Sequence, residues 1–287
     1  MKNIEITSLS ENYVERAVLS APRLMGESGL SFYIDQSEWK LLFDTGTGLS
    51  LLHNARILNV PIDQLNGVVI SHGCYGHHGG LESLLQATRR QDIYVHPHIF
   101  KEKWILKEGQ EPRYHSILNK DRMESLGGKF VLREGPLELS DNLFLLGPFV
   151  RNKPVQDGNI NSRHFREDNS WKLDLLDDEQ VLAFKTPQGL VIVSACTHNG
   201  LINTAEQALE MTGAERLHAV LGGIHTYRCA EEEIAGLAHW LNGQGVSLLL
   251  CSHCTGLEAA STLKKIFKGE VLQNYVGRKL TFEGVSP

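Results

Sequence analysis

The chain has 287 residues, 41% of them hydrophobic and 22% charged, enough to bury the core of one large domain or two small ones. That apolar content with a net charge of only −6 excludes a disordered chain, and 28 basic against 34 acidic residues give no basic excess to mark nucleic acid as a partner. No apolar run approaches the ~18 residues of a membrane span, and the opening MKNIEITSLSENYVERAVLS lacks the apolar stretch of a secretion signal.

Ile4-Glu5-Ile6 alternates as a strand does, and Leu30–Ile34 and Leu41–Phe43 are short apolar runs joined by polar Asp35–Lys40, which predicts a hairpin. Asp44-Thr45-Gly46-Thr47-Gly48 ends that strand, Leu49–Leu58 suits a helix, and Pro61–Asn66 is a polar connector. Gly67-Val68-Val69-Ile70 reads as a buried strand ending at Ser71-His72; a helix from Gly79-Gly80-Leu81 to Arg89 and a strand over Asp92–His96 follow. Between Lys101 and Asp168 the signal is weak, rich in charge, Asn and Gly, with apolar pieces only at Lys129–Leu132 and Leu143–Leu146. Then the alternation sharpens. Strands are predicted over Gln180–Lys185, Leu190–Ala195, His218–Leu221, Ser247–Cys251 and Lys279–Phe282, with helices over Ala205–Thr212, Glu231–Asn242 and Gly256–Phe267. No repeat or linker divides the chain, so residues 1–287 read as a single domain, with 101–168 as an insertion covering the cleft. Strands alternating with helices predict layered sheets under outer helices, with sites gathered at strand ends.

Thirteen histidines is an unusual count, and several adjoin glycines at those strand ends. Five cysteines, an odd number in a long chain, fit a reducing compartment, so a cytoplasmic location is expected. In Ser71-His72-Gly73-Cys74-Tyr75-Gly76-His77-His78-Gly79-Gly80, His72 and Cys74 point to one side of an extended segment, and His77 follows at a helix start. Imidazole and thiolate at this spacing suit zinc or iron. Cys196 and His198 repeat the pattern after strand Leu190–Val193, and His225 and His253 close two further strands. Four strand ends each carrying a histidine predict one shared site. Two other motifs are weaker: Gly46-Thr47-Gly48 lacks the third glycine of a dinucleotide loop, since Leu51 stands there, and Cys251-x-x-Cys254 has the spacing of a redox dithiol but holds His253 inside it.

Together these segments resemble the metallo-β-lactamase superfamily, whose signature is a strand ending in Asp-x-Gly, then Ser-His-x-His-x-Asp-His-x-Gly-Gly, then late strand ends with further ligands. Phe43-Asp44-Thr45-Gly46 and Ser71–Gly80 match the first two elements. Ser-Ala-Cys-Thr-His-Asn-Gly, Gly-Gly-Ile-His-Thr and Ser-His-Cys-Thr-Gly resemble the branch that includes the dihydropterin–ribofuranosylaminobenzene phosphate synthase-like proteins. The resemblance implies a four-layer αββα sandwich, an α+β or α/β fold with a metal cleft at one edge. It implies metal ligation by His72, His77 and His253, with Cys74 standing where the family has its second His and Cys196 where it often has a bridging Asp. His198 and His225 match histidines of the branch and are the expected proton carriers. Gly76 stands where the family has the Asp that orients the attacking water, so one ion, zinc before iron or manganese, is expected rather than two. The family's mid-chain His has no matching motif; His164 lies in that region. The expected activity is metal-dependent hydrolysis of a small ester or phosphate-containing substrate, with Arg113, Arg151 and Arg163 as candidates for an anionic group. A catalytically impaired small-molecule-binding or regulatory protein and a thiol-based redox protein are the alternatives.

Overall fold

Alternate residues of the central strands feed different cores, and this sets the layering. The computed structural model describes residues 3–15, 23–36, 39–155 and 162–285. Among these the strands form three sheets. The first joins β1 (Ile4–Ser10), β2 (Ser31–Gln36), β3 (Trp39–Phe43), β4 (Gly67–Val69), β5 (Gln91–Val95), β8 (Gly128–Leu132) and β18 (Lys279–Phe282), in the order β18-β1-β2-β3-β4-β5-β8. The second joins β9 (Leu137–Ser140), β10 (Leu143–Leu146), β13 (Val181–Thr186), β14 (Gly189–Ser194), β15 (Leu217–Gly222), β16 (Leu248–Cys251) and β17 (Glu270–Gln273), in the order β17-β16-β15-β14-β13-β10-β9.

Leu41 and Phe43 of β3 face the second sheet, packing with Val191, Val193 and Leu221, while Leu42 between them faces outward. On the second sheet Leu190, Ile192 and Val220 take the outward side. This period of two leaves an apolar layer on both faces of each sheet, so each needs a helical cover. Helices α1 (Leu51–Ile57), α3 (Leu81–Thr88) and α4 (Lys120–Ser125) cover the first through Leu51, Ala55, Leu81, Leu84, Leu85 and Met123. Helices α5 (Leu201–Thr212), α6 (Glu231–Gly243) and α7 (Leu257–Ile266) cover the second through Leu201, Ala205, Leu237, Leu241 and Leu263. The four layers are α, β, β and α, as expected. Each fully buried side chain in the inter-sheet layer, Phe32, Phe43 and Phe184 among them, contributes about 1.5–3 kcal/mol to this packing.

Segment 101–168 differs from its expectation as one insertion. β8, β9 and β10 belong to the two main sheets. A small third sheet, order β12-β11-β6-β7, is built from β6 (Lys103–Ile105), β7 (Arg113–Ser116), β11 (Arg163–Glu167) and β12 (Ser170–Leu173). It escaped sequence reading because β12 is exposed throughout and β7 is exposed at Arg113 and Tyr114, so no apolar alternation marks it. The β2–β3 hairpin is present, but residues 37 and 38 of its turn lie outside the described residues.

β3 and β4 run parallel, as do β14, β15 and β16, so the carboxyl ends of five strands open on one edge of the sandwich. There the chain takes left-handed backbone at four non-glycine residues: Asp44 (φ 61°), Thr197 (φ 53°), His225 (φ 47°) and His253 (φ 43°). Such conformations cost energy and concentrate where side chains must be aimed.

Candidate metal centre

The β4 end is held by a carboxylate. Asp44, buried at the end of β3, accepts from the Ser71 N–H (2.7 Å), the Ser71 hydroxyl (2.8 Å) and His77 Nδ1 (2.7 Å). The proton on His77 therefore sits at Nδ1, and its Nε2 lies 3.4 Å from Cys196 Sγ. With its own proton given to Asp44, the Ser71 hydroxyl accepts from His72 Nδ1 at 2.9 Å. His72 is fully buried, and its Nε2 makes no hydrogen bond. His77 itself lies within the one-turn helix α2 (Tyr75–His78).

The other strand ends face this pair across a cavity of about 200 Å³ lined by His72, Cys74, His77, Cys196, His198, His225, His253 and Cys254 together with Ser28, Gly76, His115 and Arg163. The loop after β14 is pinned by Glu179, which accepts from the N–H groups of His198 (2.6 Å) and Asn199 (2.9 Å). The His198 and His225 rings lie 4.2 Å apart, centroid to centroid. Three overlapping groups bring their ligand atoms within 4.8 Å of one another: His72, His77 and Cys196; His72, Cys74 and His198; Cys196, His225 and Cys254.

The structure thus places all seven sequence-derived site residues on one cavity, in somewhat different relations. His198 and His225, read as proton carriers, sit among the potential ligands. His253 lies outside the three groups: its Nδ1 is 3.0 Å from Asn12 Oδ1, and its ring is 5.0 Å from that of His77. Burial, foremost, lowers its pKa to about 4, so its imidazole is neutral.

The thiols are unlike one another. Burial alone would raise the Cys74 pKa, yet His72, Arg163 (Nη1 to Sγ 3.4 Å) and His115 (Nε2 to Sγ 3.3 Å) hold it well below the usual thiol value. His72 mirrors this. Burial opposes its charge, but the Cys74 thiolate raises its pKa to about 9. Burial and the neighbouring Cys254 push the Cys196 thiol well above its ordinary value.

Several participants escaped the sequence reading. His115 on β7 reaches Cys74, whereas His164 on β11 pairs with Trp104 and does not line the cavity; a charged, nearly patternless segment gave no signal to choose between them. Glu11, at the end of β1, is fully buried and accepts from the His253 N–H at 2.9 and 3.1 Å; burial raises its pKa to about 7. Cys254 has the spacing of a weak dithiol motif with Cys251, but Cys251 is packed in the outer core, where burial pushes its thiol up to about 12, while Cys254 faces the cavity. Arg151 bonds Asn199 (2.9 Å) and the Leu175 carbonyl, away from Arg113 and Arg163.

The donor set fits a metal ion. Two imidazoles are aimed by hydrogen bonds at Nδ1, a buried Nε2 is left without a partner, and thiols lie within ligand distance of one another. The comparisons with known proteins agree. Residues 24–158 match the metallo-beta-lactamase superfamily model. The chain is 29% identical, over 98% of its length and 97% of the relative's, to the 7,8-dihydropterin-6-methyl-4-(beta-D-ribofuranosyl)-aminobenzene-5'-phosphate synthase of Methanocaldococcus jannaschii. A solved metal-dependent hydrolase of the beta-lactamase superfamily superposes with a TM-score of 0.81 at 28% identity, covering 96% of this chain and 98% of that one. The metallo-beta-lactamase fold protein YhfI of Bacillus subtilis shares the fold alone, with a TM-score of 0.59 at 13% identity over 98% of this chain and 100% of that one. By family match over residues 24–158, near-full-length similarity and fold, the chain carries a metallo-beta-lactamase superfamily domain.

Proposed function

We propose that the protein is a metal-dependent enzyme, hydrolase-like in mechanism, acting on a small ester or phosphate-containing substrate. The observation that carries this reading is the pair of pinned imidazoles, His72 and His77, the Nε2 of His72 without a partner and that of His77 against Cys196 Sγ. His72, His77 and Cys196 would hold the ion, with Cys74 and His253 completing the set. The soft thiolates favour zinc over the oxygen-seeking metals. A bound ion of this kind supplies a Lewis acid and an acidified water.

The chain's own residues do the rest. Asp44 and Ser71 fix which nitrogen of each imidazole carries the proton. His72 holds its proton beside the Cys74 thiolate, so loading the site would require that proton to leave, and uptake would be pH-dependent. His198 and His225, rings 4.2 Å apart on the same cavity, would move protons to and from the leaving group. Gly76 offers no carboxylate, so orientation of the attacking group falls to these histidines. A synthase reaction at the same site is the second reading, favoured by the near-full-length similarity to the M. jannaschii protein.

The test is turnover of a panel of phosphoesters, lactones and thioesters by the purified protein before and after chelation. Hydrolysis lost on chelation and restored by zinc supports the reading. Hydrolysis indifferent to the chelator, or no turnover of any of them by zinc-loaded protein, overturns it.

A further inference from the structure

A second cavity, of about 240 Å³, adjoins the metal centre, and its chemistry is different. It is lined by Ile105, Lys107, Gln110, Glu111, Arg113, His115, Ser162, Arg163 and Arg228. Four permanent cations face one carboxylate, Glu111. Lys107, Arg113 and Arg228 make no ion pair among the described residues. The Arg228 guanidinium lies over the Tyr227 ring at 4.6 Å, which holds its plane while leaving its N–H groups for another partner. Exposed cations are ordinarily spread out or paired; here three elements bring them together. Arg113 comes from β7, Arg163 from β11, and Arg228 from the loop that carries His225 three residues earlier.

The two cavities share a wall. His115 and Arg163 line both, and both also touch Cys74. A molecule spanning them would present one end to the donor cluster and the other to the cations. We propose that the cationic cavity is a phosphate-binding subsite that holds a non-reacting phosphate monoester of the substrate while another bond of that substrate lies over the metal centre. Forked guanidinium donors match phosphate oxygens in pairs, and several around one pocket suit a dianion better than a single carboxylate. This rests on the functional reading above for its second half only: the subsite is made by side chains and needs no metal to bind phosphate.

The experiment therefore uses metal-stripped protein. Inorganic phosphate is titrated at pH 8 by calorimetry against the native chain and the double variant Arg113→Gln/Arg228→Gln, with metal uptake and thermal unfolding measured on the same samples. Both positions are at the surface or half-buried, so native-like unfolding is expected of the variant; Lys107→Gln is the second variant should it unfold early. Phosphate binding to the stripped native protein, weakened at least tenfold in the double variant with metal uptake unchanged, supports the subsite. Binding that appears only with metal present, or that neither variant weakens, overturns it. Protein that takes up no metal yet still binds phosphate through Arg113 and Arg228 would overturn the functional reading and leave the subsite standing.

Discussion

Asp44 is the residue on which both imidazoles of the β4 loop depend. It accepts one bond from His77 directly, and it fixes His72 through the Ser71 hydroxyl. In Asp44→Asn the amide can no longer accept at every one of these positions, and the neighbouring imidazoles lose their set tautomers. Metal affinity should fall about 10- to 100-fold, the usual cost of losing a carboxylate behind a ligating histidine; competition against a chromogenic chelator measures it, and unchanged affinity would contradict the role. Gly76 is the complementary case. Its φ is not in the left-handed region, and a Cβ built there meets the Ser28 carbonyl at 3.1 Å and His253 Cε1 at 3.9 Å, so a side chain fits with a small adjustment. Gly76→Asp should raise metal content towards two ions per chain; occupancy that stays put would show that the missing carboxylate does not limit the site. Residue types at strand ends made His72, Cys74, His77, Cys196, His198, His225 and His253 legible in sequence. Their supports, Glu11, Glu179 and His115, were not, because a lone Glu or His carries no spacing to mark it.

At the scale of elements, β6 of the third sheet is tied through charge to the loop that carries His72. Lys103 Nζ, buried on β6, contacts Asp174 (2.9 Å) and Asp178 (3.1 Å), and Asp178 accepts from the Gly73 N–H beside His72 at 2.7 Å. Lys103→Met would strand two buried carboxylates and should cost about 3–5 kcal/mol in denaturant unfolding, as expected for breaking a buried ion pair from one side. A loss below about 1 kcal/mol would place the carboxylates in reach of other compensation. The pH dependence follows from both partners. Burial would raise the Asp178 carboxyl, but Lys103, foremost among its partners, lowers it, while the two carboxylates raise Lys103 above the usual range against its own burial. The pair's contribution is therefore constant from about pH 5 to 9 and is lost as pH falls below about 4, where the unfolded carboxyl protonates first. The main strands were readable because alternation and buried apolar runs follow the layers they pack between. The third sheet was not, since its residues face solvent and charge rather than a core, and β17 is only partly buried, with Glu270 exposed.

Across the whole molecule, the cavity lies where the two main sheets meet. His72 and His77 come from the first sheet; Cys196, His225, His253 and Cys254 come from the second. An ion held by both would join the two halves; no helix of the described residues is long and apolar enough to cross a membrane. Binding to the folded state alone stabilises it, by about 2.7 kcal/mol at a hundredfold excess over Kd. If this cavity is a metal site built on His72 and His77, elemental analysis will show it. Protein purified without chelator should carry at least one equivalent of zinc, iron or manganese per chain, and the double variant His72→Ala/His77→Ala, still folded, should carry none. Equal metal in both proteins, or a folded native protein that is metal-free and takes up none on incubation with zinc, would mean that His72 and His77 do not hold a metal.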